Sequence, residues 1–223
     1  MIRTFLLILT PCVLSCSGQN TKQPIIASTK LNSRQKNIIP YPTFLKEVNT
    51  ERKQLKNSDW KTINNYLFTL LNNDIPAYWI GTKWDFNGVS SVPNEGTIAC
   101  GYFVTNTLSD LGFRIQRVRL AQQASSLMIK TICGNTKTIS GLSELETYLN
   151  TQSANTIFIV GLDFHTGYIL KTDSESYFLH SNYINKQGVV KEKIADSKAL
   201  AQSKVFVLGY LSNNRSLLKK WVQ

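Results

Sequence analysis

The chain has 223 residues, 42% of them hydrophobic and 17% charged, a balance that excludes a disordered polar polymer and supports one folded body with a full core. Lys and Arg number 25 against 14 Asp and Glu, for a formal net charge of +11, yet the basic residues are scattered from Lys22 to Lys220 without a stripe or a nucleic-acid-binding motif. The charge therefore reads as general solvation and loose attraction to anionic surfaces, and does not point to nucleic acid. The four cysteines and two histidines show no Cys-x-x-Cys or His-x-x-x-His spacing, so no metal is expected, and no cofactor either.

The N-terminus sets the compartment. MIRTFLLILTPCVLSC carries one positive charge, Arg3, followed by an apolar run through Val13 and Leu14. That run is too short for a stable membrane-spanning helix and is laid out as a secretory signal peptide over residues 1–15. It ends in Val13-Leu14-Ser15-Cys16, which resembles a bacterial lipobox: aliphatic residues, a small residue, then the cysteine that takes the lipid. The resemblance implies that Cys16 is acylated and becomes the mature N-terminus. The protein would then be a lipoprotein of the bacterial cell envelope, membrane-anchored on the periplasmic or outer-membrane side; an ordinary signal peptide cut nearby is the alternative. Residues 16–42 are polar, lack a helical period and end in two prolines. They read as a flexible tether of about 28 Å root-mean-square span, with the folded domain over residues 43–223.

A helical pattern covers residues 43–56. A second helix follows, with Ser58 or Asp59 as its cap and Trp60, Ile63, Leu67, Leu70 and Leu71 at helical spacing. After Ile75-Pro76 the stretch YWIGTKWDFNGVSSVPNEG is rich in Gly, Asn, Pro and aromatics and reads as irregular. It delivers the chain to CGYFVTNTLSDLGF, a helix with Phe103, Val104, Leu108 and Leu111 on its apolar face and Gly112 as its stop. Cys100 thus opens a helix, where free N–H groups and the positive end of the dipole favour a reactive thiolate. Cys133 is the other body cysteine; an oxidising compartment permits a Cys100–Cys133 bridge, but the helix-opening position argues for a free thiol.

Helical segments at residues 120–133 and 142–150 give way to five strands, at 156–162, 165–171, 176–181, 189–193 and 204–211. Helices first and antiparallel strands later make an α+β domain. Both histidines of the chain, His165 and His180, fall on neighbouring strands. A turn at Thr172-Asp173 would set them directly opposite each other, and alternation puts His180 and Asn182 on one face.

A helix-opening Cys, then a strand with His-x-Gly, then a strand ending in a polar residue, resembles the papain-like cysteine peptidases, and within them the NlpC-like family of cell-wall hydrolases. Gly81-Thr82-Lys83-Trp84-Asp85-Phe86-Asn87-Gly88 resembles the family's Gly-Thr-x-Tyr-x-x-Gly-Gly, and Ala99-Cys100-Gly101-Tyr102-Phe103-Val104 its Asp-Cys-Ser-Gly-Phe-Val. His165-Thr166-Gly167-Tyr168-Ile169 resembles its His-Val-Gly-Ile, and Tyr177-Phe178-Leu179-His180-Ser181 its Phe-Ile-His-Ala. The likeness runs from about residue 75 to 211. It implies a papain-like fold with Cys100 as nucleophile, His165 as general base and His180 as orienter, Asn182 being the runner-up. It also places Trp84, Asp85 and Gly101 on the substrate side.

The expected activity is that of a cysteine peptidase or amidase cleaving an amide bond in peptidoglycan stem peptides. The chain departs from the family where Ala99 and Gly101 replace the usual Asp and Ser, and Trp84 a Tyr, which leaves the scissile bond open. Arg117, Arg119 and Gln123 read as solvated helix positions, with a pocket for a charged or amide-rich substrate as the alternative. A lipoprotein that keeps the fold but binds an envelope partner without turnover is the competing class of function.

Overall fold

The computed structural model describes residues 39–223; the expected signal peptide, the expected lipidation at Cys16 and the expected tether up to residue 38 lie outside the described residues. Helix α1 (Tyr41–Gln54) begins two residues before the expected domain boundary, because Pro42 sits in its first turn, where a missing N–H leaves no bond unmade. Helix α2 (Trp60–Thr69) is capped by Asp59, whose Oδ1 accepts from the Thr62 N–H at 3.0 Å. It runs through a π-turn (Leu70–Asp74) into α3 (Ile75–Trp79), so the helical path passes Pro76 instead of stopping there. Pro76 cannot donate to the Asn72 carbonyl one turn back. Lys191 Nζ donates to that carbonyl instead at 2.8 Å, and to Asn72 Oδ1 at 2.8 Å, which ties the kink to a strand far along the chain.

Residues 80–99 are irregular, as expected, with isolated bridges at Lys83–Thr97 and Val89–Ile98. Helix α4 (Cys100–Asp110) ends at Gly112, whose φ of +93° is disfavoured for a residue with a Cβ. The Gly112 N–H bonds the Ser109 carbonyl and the Phe113 N–H the Leu108 carbonyl, each at 2.9 Å, which closes the last turn. The single helix expected at 120–133 is two, α5 (Arg117–Ala121) and α6 (Ser125–Cys133). Strand β1 (Thr136–Ser140) was not foreseen: it is an edge strand in which Ile139 alone is buried, too weak a pattern to read. Then come α7 (Leu142–Asn150), β2 (Thr156–Gly161), β3 (Thr166–Lys171), β4 (Ser176–Asn182), β5 (Gly188–Lys193), α8 (Lys198–Ala201), β6 (Val205–Tyr210) and an unforeseen C-terminal helix, α9 (Arg215–Trp221).

The strands form one antiparallel sheet in the order β1-β6-β2-β3-β4-β5. The architecture is α+β, mainly helical ahead of the sheet. Every residue of the inner strands β2 and β3 is buried, which is why Thr156–Gly161 reads as an unbroken apolar run. One face packs Phe158, Val160, Ile169, Phe178, Phe206 and Leu208 against Leu145 and Leu149 of α7 and Leu200 of α8. The other face takes α4 and α6.

Helix α4 is fixed along its whole length. At its start, a Cβ on Gly101 would lie 2.5 Å from the Ala121 carbonyl oxygen, so only glycine lets α5 approach this closely. In its middle, the Tyr168 hydroxyl of β3 donates to the Val104 carbonyl at 2.9 Å and lies 2.8 Å from Thr107 Oγ1. At its end, Trp221 Nε1 donates to the Leu111 carbonyl at 2.7 Å, and the Trp221 ring stacks on Phe113 at 5.3 Å. Tyr168→Phe deletes the central hydroxyl and with it the buried hydrogen bond to the Val104 carbonyl, while Thr107 Oγ1 keeps its bond to the Phe103 carbonyl. It should destabilise the fold by about 1–2 kcal/mol, seen as a lower denaturant midpoint at unchanged slope; an unmoved midpoint would mean that the hydroxyl does not anchor the helix.

Candidate active site

Cys100 is the first residue of α4, and the first intrahelical bond is made by the Phe103 N–H to the Ala99 carbonyl at 2.9 Å. The N–H groups of Cys100, Gly101 and Tyr102 therefore have no acceptor within the helix. Ala99 supplies no side-chain cap for them, as a Ser or Asp would. The chain entering this helix is held to the sheet: Ser181 Oγ of β4 donates to the Ile98 carbonyl at 2.7 Å. The residue beside His180 thus fixes the approach to Cys100.

His165 ends the tight β2–β3 turn, where the Leu162 N–H bonds the His165 carbonyl at 2.8 Å across Asp163-Phe164. Its ring is buried, and its Nε2 lies 2.7 Å from Nδ1 of the fully buried His180. The two histidines meet, but not in the expected register. The β3–β4 turn is centred on Asp173-Ser174, with the Thr172 N–H bonded to the Glu175 carbonyl at 2.8 Å, and Tyr168 pairs with Leu179. The pairing is shifted by two residues, which preserves the face of every side chain, and His180 stands beside Gly167 while reaching diagonally to His165. A Cβ on Gly167 would lie 2.7 Å from the His180 Cβ, so the glycine of His-Thr-Gly makes room for the second ring. Phe178 stacks on His180 at 3.9 Å, and Tyr183 stands edge-on to His165 at 5.0 Å.

Beyond His180 lies a residue that the sequence reading missed. Glu192 of β5 brings Oε1 to 3.1 Å from His180 Nε2. The strand was foreseen and its pairing with β4 was not, yet alternation along a paired β5 sets Glu192 on the face that carries His180.

The other nominated residues are distributed unevenly. Cys100, Gly101 and His165 line one cleft of about 390 Å³, together with Thr166, Gln123 and the exposed rim residue Phe164. Among the described residues that line it, Asp163 alone carries a formal charge. Trp84 and Asp85 do not line it. The Trp84 ring is 6.4 Å from Tyr183 and so one ring removed from His165, and Asp85 Oδ1 accepts from the Asn87 N–H of its own turn at 2.9 Å. Asn182 is not the orienter either: its Oδ1 accepts from the Ile184 N–H at 3.0 Å and its Nδ2 donates to Gln187 Oε1 at 2.9 Å. Arg117 bonds Asn106 and Arg119 bonds Gln116, leaving Gln123 as the one of the three helix candidates that reaches the cleft.

Electrostatics corrects the expected thiolate. Burial pushes the Cys100 thiol above its ordinary range, although the backbone N–H groups of Thr166, Gly101 and Cys100 pull the other way. Burial, and then the neighbouring His180, hold His165 well below the usual imidazole range. Burial also lowers His180, against the opposing pull of Glu192. The resting pair is therefore a neutral thiol and a neutral imidazole, because burial outweighs the helix terminus. Cys133 is buried on α6 and pushed up to about 12, and neither it nor Cys100 is in a disulfide.

Among the described residues no cluster of three or more His, Cys, Asp or Glu could hold a metal ion, and no helix is long and apolar enough to cross a membrane. Comparison of the chain with protein-family models, with curated proteins and with solved structures finds no match.

Alkylation by iodoacetamide should modify Cys100 well ahead of Cys133. The Cys100 rate should keep climbing with pH past the range in which an ordinary cysteine has titrated, since its thiol is raised and not lowered. Equal labelling of the two cysteines, or a Cys100 rate already at its plateau in mild acid, would contradict the site as described.

Proposed function

We propose that the protein is an envelope-tethered cysteine hydrolase of papain-like, NlpC-like type, cleaving an amide bond in peptidoglycan stem peptides and held to the membrane by lipid on Cys16. The observation that carries this reading is the 2.7 Å bond between His165 and His180, with His165 and Cys100 lining the same cleft. A buried imidazole pair whose outer ring shares a cleft with a helix-opening thiol supports the hydrolase over the binding class of function.

In the reaction, the Cys100 thiol proton passes to His165 Nδ1, the nitrogen not bonded to His180, as sulfur adds to the carbonyl carbon of the amide. The oxyanion is stabilised by N–H groups at the start of α4, which the helix leaves without acceptors. Collapse breaks the C–N bond, and His165 returns the proton to the departing amine, leaving a thioester on Cys100. Water then gives a proton to His165 and its oxygen to the acyl carbon; the C–S bond breaks, His165 returns that proton to the Cys100 sulfur, and the acid leaves. His180 fixes the tautomer and orientation of His165 throughout.

Digestion of purified peptidoglycan, with products read by mass spectrometry, tests the reading. The protein should release peptide fragments with a new amine and a new carboxylate. His165→Ala should lower the rate at least about a hundredfold, and His180→Ala should cost less, with part of the loss recovered in His180→Asn. Protein recovered from membranes should carry an acylated Cys16. No turnover, or turnover that survives His165→Ala, would leave the binding class of function in its place.

A further inference from the structure

We propose that Glu192 is the fourth member of the site, a positioning residue that fixes the tautomers of both histidines and raises the basicity of His165. The inference rests on the hydrolase reading. It starts from a directional constraint: an ionised carboxylate only accepts hydrogen bonds. Hydrogen bonds from His180 and Ser197 outweigh the burial of Glu192 and keep its carboxyl below the usual range, so it is ionised at neutral pH. His180 Nε2, 3.1 Å from Glu192 Oε1, must then carry a proton. In a neutral imidazole the other nitrogen is bare, so His180 Nδ1 is the acceptor in the 2.7 Å bond with His165. His165 Nε2 is therefore the donor, and His165 Nδ1 is left unprotonated. One carboxylate two rings away thus determines which nitrogen of His165 is free to take a proton.

The placement is built and not incidental. Ser197, the N-cap of α8, accepts from the Leu200 N–H at 3.4 Å and turns its hydroxyl to Glu192. The adjacent Lys191 is pinned to Asn72 at the π-turn. Alternation then sends Lys191 and Glu192 to opposite faces of β5, which keeps the ammonium off the histidine pair. The titratable groups around the pair are Cys100 from α4 and the exposed Asp163 from the β2–β3 turn, which line the cleft with His165, Tyr183 from the segment after β4, and Glu192 from β5; Asp196 and Lys198 beyond β5 are exposed. When His165 accepts the Cys100 proton, Glu192 is the carboxylate hydrogen-bonded into the histidine pair, through His180, whereas Asp163 lies exposed at the cleft. A charge on Glu192 therefore favours the thiolate–imidazolium pair over the neutral pair.

Alkylation of Cys100 by iodoacetamide across a pH series separates the roles without knowledge of the substrate. At neutral pH the rate follows the small population of the ion pair, and at high pH it follows the free thiolate beside a neutral His165. Glu192→Gln, which keeps the shape and loses the charge, should lower the neutral-pH rate about tenfold, the effect of one unit of lost His165 basicity, and leave the high-pH limit unchanged. His165→Ala should abolish the neutral-pH limb altogether. If His165→Ala leaves that limb intact, the hydrolase reading itself fails. If His165→Ala abolishes it and Glu192→Gln does not lower it, Glu192 is a structural bystander. A fall of both limbs in Glu192→Gln would mark a disturbed fold around the site and equally overturn the assignment.

Discussion

The hydrogen bond from His165 to His180 is the contact on which the candidate site depends. It joins β4 to the residue just before β3, is buried, and depends on several backbone constraints that agree. Gly167 lacks the Cβ that would crowd His180. The β2–β3 turn stops the chain one residue before β3, so that His165 leans over the end of the sheet. Ser181 holds the segment that leads into Cys100, which makes the sheet carrying the histidines also the reference for the thiol. Helix α4 is then locked by Gly101 against α5, by the Tyr168 hydroxyl and by Trp221. Packing and site are one design: the groups that bury the core also set the chemistry.

Burial shapes the chemistry in a second way. A thiol at a helix N-terminus beside a histidine suggests a standing ion pair, but desolvation acts on both partners and disfavours both charges. The site therefore rests neutral and forms charge only when a proton moves, within a pocket whose N–H groups are already placed. A protein of formal net charge +11 keeps Lys and Arg out of this cleft and lines it with a single acid, Asp163. The basic residues thus lie outside the lining of the candidate cleft.

Much of this was legible in the sequence where one local signal dominates. The Cys100 helix, its glycine stop, the α2 cap at Asp59 and the continuous apolar run of β2 each follow from a short-range rule, and each is found where that rule puts it. The proximity of His165 and His180 was legible because a hairpin error of two residues leaves side-chain faces unchanged. What escaped depends on distant partners. The helical path from α2 into α3 passes Pro76, with Lys191 satisfying the carbonyl that the proline abandons. Strand β1 has one buried residue and exists through β6. Trp84 and Asp85 sit in a loop whose path is set by bonds to other loop residues, so motif likeness did not locate their side chains. Glu192 was invisible because only the pairing of β5 with β4 shows which residue faces His180.

The central claim is an ordered chain of hydrogen bonds running from Glu192 through His180 to His165. Because the chain holds only two histidines, nitrogen-15 NMR of imidazole-labelled protein reports on these two rings alone. At neutral pH both rings should be neutral, each protonated at Nε2 and bare at Nδ1, with His165 Nδ1 free to take the Cys100 proton. A proton on Nδ1 of either resting ring would break the chain and contradict the account.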